Sequence, residues 1–79
     1  MQLHEIRSKN DFLRFLTVLR SDLVKNSNDW ENPTLDKYLE AMQGWIQDMD
    51  GYYSDTDQTI PEQTWKVFAD ILYAAKIYE

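Results

Sequence analysis

Apolar residues recur at three- and four-residue intervals in three stretches of this chain, separated by two polar segments, and that spacing predicts three amphipathic helices. The first begins at Ser8-Lys9-Asn10-Asp11, with Ser8 as N-cap and Asp11 as a capping-box acid one carbon shorter than glutamate. Phe12, Phe15, Leu16, Leu19 and Leu23 then form one face, with Arg14, Ser21 and Lys25 opposite. Asn26-Ser27-Asn28-Asp29 ends it, because these side chains compete for backbone hydrogen bonds. The second helix starts after Pro33, with Thr34 as N-cap. Leu35, Tyr38, Leu39, Met42, Trp45, Ile46 and Met49 share a sector of about 120°. Gly51 is placed to close this helix in the left-handed conformation. Gly44, inside it, suggests a close neighbour, since glycine there is about 1 kcal/mol worse than alanine. The third helix begins between Pro61 and Trp65, with Thr59 or Thr64 as cap. Its apolar residues cover more than half the circumference, which suits a helix packed between the other two or one that keeps a strip for an intermolecular contact. The expected fold is therefore all-α, a small three-helix bundle with helices near 9–26, 35–50 and 62–78, in one helical domain spanning 1–79.

Size and composition narrow the classes. A chain of 79 residues without cysteine has neither disulfides nor thiolate metal ligands, so packing alone must hold it. The apolar fraction is 43%, with three Trp, three Phe and five Tyr, and no run approaches the roughly 20 apolar residues of a membrane span. Met1 to Ile6 does not read as a signal peptide, and a cytoplasmic address is the expectation.

Charge is divided unevenly along the chain. Residues 1–25 carry five bases and three acids, whereas residues 26–79 carry three bases and eleven acids, for a net −6. Such a surface repels phosphate backbones and attracts a basic protein, so nucleic acid is not an expected partner. Between Lys37 and Lys66 there are six carboxylates and no base. Asp48 and Asp50, next to the expected helix stop, oppose the macrodipole there, so their placement points to a use other than stability.

The blocks Trp30-Glu31-Asn32-Pro33-Thr34-Leu35, Trp45-Ile46-Gln47-Asp48-Met49-Asp50-Gly51-Tyr52-Tyr53, and Trp65 followed by Phe68-Ala69-Asp70-Ile71-Leu72-Tyr73-Ala74-Ala75-Lys76-Ile77-Tyr78-Glu79 resemble a family of short bacterial proteins of unknown function. The resemblance spans nearly the whole chain. It implies a small intracellular protein that stands alone, and it brings no activity, cofactor or catalytic residue.

Catalysis is hard to assemble from these residues. His4 is the only histidine, there is no cysteine, and a serine without a base is inert. Neither a catalytic residue nor a cofactor is assigned. An EF-hand alignment of Asp48-x-Asp50-Gly51 would put Ile46, which has no oxygen ligand, at the first position and Asp57 at the last, so no metal ligand is assigned either. Trp45 and Trp65 fall on core faces, whereas Trp30, Tyr52 and Tyr53 do not. The expected partner-binding set is Trp30, Asp48, Asp50, Tyr52, Tyr53, Asp55 and Asp57, aromatic and acidic residues of the kind that anchor and steer a basic protein. The function expected is a non-enzymatic binding module of the immunity-protein or antitoxin type. The alternatives are a structural homodimer and a weak calcium-binding module.

Overall fold

A computed structural model describes residues 3–55 and 59–78. The protein is all-α. Its three helices are α1 (Lys9–Asn26), α2 (Leu35–Asp55) and α3 (Gln63–Ala75), with short 3-10 turns at Leu3–Glu5 and Ser27–Asp29 and no strand among the described residues, in keeping with a small helical bundle. The chain divides into two compact units, Met1–Gly44 and Trp45–Glu79, each described by itself below.

In the first unit the helix starts are those the sequence announces. Ser8, with extended backbone (φ −141°, ψ 168°), accepts the Asp11 N–H at 3.0 Å on its hydroxyl. The Asp11 carboxylate does not return to the Ser8 N–H as a longer glutamate would. It accepts instead from the Arg7 N–H at 3.1 Å, and its other oxygen pairs with the Arg14 guanidinium. The Arg7 N–H above all, aided by Ser8 and Arg14 against partial burial, holds the Asp11 carboxyl below its ordinary value. Thr34 caps α2 by accepting the Lys37 N–H at 3.3 Å. The apolar face of α1 is half-buried at Phe12, Phe15, Leu16, Leu19 and Leu23, with the Phe12 and Phe15 rings 6.0 Å apart.

In the second unit α2 does not stop at Gly51. It continues through Tyr52 and Tyr53 to Asp55, and Gly51 keeps a helical backbone. Glycine inside a helix is unfavourable by about 1 kcal/mol. The helical register past Gly51, however, brings Tyr52 and Tyr53 onto Trp45, and aromatic pairs contribute about 0.5–1.5 kcal/mol each beyond burial, enough to offset it. A Cβ at Gly44 or Gly51 would meet nothing within 4 Å, so the close neighbour expected at Gly44 is not there.

The third helix is shorter than expected. It starts at Gln63 with Glu62 in the N-cap position and no side-chain cap, so neither Thr59 nor Thr64 takes that role; the Thr64 N–H donates to Pro61 O at 3.0 Å. Beyond Ala75 the chain turns, and the Tyr78 N–H returns to Ala74 O at 2.9 Å. No described residue of α3 is buried, and its Lys66 pairs with Asp70 at 2.5 Å while Lys76 lies 4.5 Å over the Tyr73 ring. Among the described residues the one buried hydrophobic side chain is Met49, 7% exposed. No helix among them is long and apolar enough to cross a membrane.

Candidate protein-interaction surface

Two aromatic clusters stand out, one in each unit. In the first, Trp30 follows the Ser27–Asp29 turn and donates its indole N–H to Asp22 Oδ2 at 2.7 Å, while Asp22 Oδ1 accepts the Asn26 side-chain amide at 2.8 Å. The Trp30 ring lies 6.0 Å from that of Tyr38, tilted by 30°. Asp22 thus pins the indole against α1, and Trp30 becomes a half-buried wall instead of a free anchor. Leu16, Leu19 and Leu23 of α1, together with Trp30, Leu35 and Tyr38, enclose a shallow groove of about 290 Å³ with Arg20 at its margin.

The Asp22 carboxyl is held below its ordinary 3.8, chiefly by the Asn26 amide and then by the Trp30 indole, with partial burial opposing. A carboxyl depressed in the folded state stabilises fully above its unfolded value, and that contribution is lost as pH falls through the folded one. The Trp30 indole N–H resonance is therefore expected to hold steady from neutral pH down to about pH 5 and to move toward a free indole below about pH 4. Asp22→Ala should show that free-indole position at every pH. A resonance that stays put down to about pH 2 would remove Asp22 from this role.

In the second unit, Trp45, Tyr52 and Tyr53 form one cluster on α2. The Trp45 ring is 6.0 Å from that of Tyr52 and 6.2 Å from that of Tyr53, and the two tyrosine rings meet edge to face at 4.9 Å. At about 100° per residue Trp45, Met49, Tyr52 and Tyr53 occupy one sector of the helix, and Asp48 and Asp50 flank it on either side. Trp45 is 52% exposed and Tyr52 57%, and both aspartates are exposed. Neither aspartate has a hydrogen-bond or ion-pair partner among the described residues.

Residues 8–79 match DUF7660, a family of unknown function. The chain belongs to that family. No curated protein and no solved structure matches the chain. The resemblance read from the tryptophan- and tyrosine-bearing blocks thus meets a DUF7660 match that covers all of them.

In this DUF7660 chain the expected set is divided. Asp48, Asp50, Tyr52 and Tyr53 come together on one stretch of α2, whereas Trp30 sits in the other unit with Asp22 and Tyr38. The side chain of Asp55 and the whole of Asp57 lie outside the described residues. Asp48 and Asp50 are inside the helix, seven and five residues before its end, so the dipole argument made for them does not hold there. Trp45, read from the sequence as core, is part of the exposed cluster. Its i, i+7 and i, i+8 spacing to the tyrosines was the available signal, hidden by taking Gly51 as a stop. Residues 46–55, which the EF-hand alignment would put in a coordinating loop, are helical, and among the described residues no three His, Cys, Asp or Glu converge as metal ligands.

Proposed function

We propose that this protein is a non-enzymatic binding module whose ridge of Trp45, Tyr52 and Tyr53, flanked by Asp48 and Asp50, docks a basic protein. The observation that supports it most is the pairing of mutually braced aromatic rings, of which Trp45 and Tyr52 are exposed, with two exposed carboxylates that have no ion-pair partner among the described residues. Rings held against one another lose little entropy on binding, and their faces attract the guanidinium and ammonium groups that the carboxylates steer toward them. An arginine or lysine of the partner is thus recognised twice, by a π face and by a carboxylate. A module of this kind, small and acidic, suits masking the basic substrate-binding face of a toxic enzyme, the immunity-protein or antitoxin role.

Capture of a partner from the native host, followed by surface plasmon resonance, tests the reading. Asp48→Asn with Asp50→Asn should slow association and flatten its dependence on salt, since exposed charges act mainly through steering. Helix content and unfolding midpoint should hardly change. An association rate and salt slope equal to those of the parent would reduce these acids to a solvated face.

A further inference from the structure

The first unit carries a feature that the proposed function leaves unused, the groove bordered by Leu16, Leu19, Leu23, Trp30 and Tyr38. Every residue that lines it belongs to Met1–Gly44, so the groove is complete within that unit. The Trp30 indole N–H is spent on Asp22 and its ring rests against Tyr38, so this wall is set before anything enters and offers an apolar face instead of a donor. Among the lining residues Arg20 alone carries a charge. It is exposed and has no hydrogen-bond or ion-pair partner among the described residues. An apolar cleft with one convergent polar group is the usual make-up of a small-molecule site, the walls supplying affinity and the polar group fixing the ligand's orientation.

We infer that this groove binds a small apolar monocarboxylate of the aryl-alkanoate class, its ring among the leucines, Trp30 and Tyr38 and its carboxylate on the Arg20 guanidinium. Size sets the body of the ligand. The groove measures about 290 Å³, and at about 30 Å³ for a water-sized group it admits on the order of ten non-hydrogen atoms, one ring with a short acid arm. Charge sets the head group. The planar fork of a guanidinium matches a carboxylate with two parallel hydrogen bonds, and no carboxylate among the lining residues competes for it. The surroundings limit that charge to one. Residues 1–44 hold six bases against seven acids, and a neighbouring cleft that shares Trp30, Asn32 and Tyr38 is lined by Asp22, Asp29 and Glu31. A dicarboxylate or an acidic protein surface would meet those acids, whereas a single carboxylate seated at Arg20 gains the local attraction without them.

The test is a titration of the full chain with 3-phenylpropanoate and, separately, with the uncharged 3-phenylpropan-1-ol, followed by the indole N–H resonances at neutral pH, where the acid is ionised. The Trp30 resonance should shift and saturate with a half-point of about 1 mM for the acid, as a ligand of so few atoms allows, while those of Trp45 and Trp65 stay in place. The alcohol should bind about fivefold more weakly, the most that an exposed ion pair contributes. Arg20→Gln, an exposed change that leaves the walls intact, should bring the acid down to the level of the alcohol and leave the alcohol unchanged. No saturable shift at Trp30 up to about ten times the expected half-point overturns the inference, as does an equal response of all three indoles. An Arg20→Gln chain that still prefers the acid over the alcohol overturns it as well.

Discussion

If the proposed basic partner docks on the α2 ridge, replacing Trp45 and Tyr52 together by alanine should lower its affinity several hundredfold, almost entirely through faster dissociation. Aromatic anchors at the centre of an interface are worth about 2 kcal/mol or more each, and every 1.4 kcal/mol is tenfold in the dissociation constant. The rings are braced against each other, at 6.0 Å between Trp45 and Tyr52, so removing both also loosens Tyr53. Because Trp45 and Tyr52 are 52% and 57% exposed, the free protein should keep its helical circular dichroism. The effect is read from dissociation phases in surface plasmon resonance. A loss smaller than tenfold, with the fold intact, would move the binding surface away from this helix.

The largest effect on stability is expected at Met49. It lies on α2 and is 7% exposed, the one buried hydrophobic among the described residues. Burying an aspartate carboxylate there without a partner costs at least several kcal/mol. At about 0.05–0.15 kcal/mol per residue, a domain of this length has little more than that to lose. Met49→Asp should therefore abolish the cooperative thermal transition, while Met49→Leu, which conserves volume, should cost less than about 1.5 kcal/mol. On the sequence pattern alone Met42 would be the residue to test, but it is only half-buried, and Met42→Asp should be the milder change. A folded, cooperatively melting Met49→Asp chain would show that Met49 does not anchor the structure.

The first two helices were legible in the residue order because their starts are local events, whereas the third has no side-chain cap at its start. Ser8 and Thr34 each present an oxygen to an N–H three residues on, and the apolar spacing of the first two helices needs no distant partner to be seen. The end of α1 falls where the polar run Asn26-Ser27-Asn28-Asp29 begins, but the turn there is closed by the Trp30 N–H on Ser27 O, and the Asn26 side chain bonds the Asp22 carboxylate instead of the backbone. Gly51 was misread because a glycine is compatible both with a helix stop and with a helix that continues. The choice belonged to Trp45, whose contacts with Tyr52 and Tyr53 exist only in the continued register.

Exposure was the quantity the pattern could not supply. A tryptophan on an amphipathic face and a tryptophan in a polar loop look like core and surface, yet Trp45 is the exposed ring and Trp30 the one pinned by a carboxylate eight residues before it. Periodicity states which side chains share a face, and it is silent on what lies opposite that face. The composition, the division of charge and the helical periods were properties of the chain and could be read from it. The groove beside Arg20, the Asp22–Trp30 bond and the ridge with its flanking acids are decided by separations of seven, eight and more residues, which become distances only when the helix and turn conformations are set.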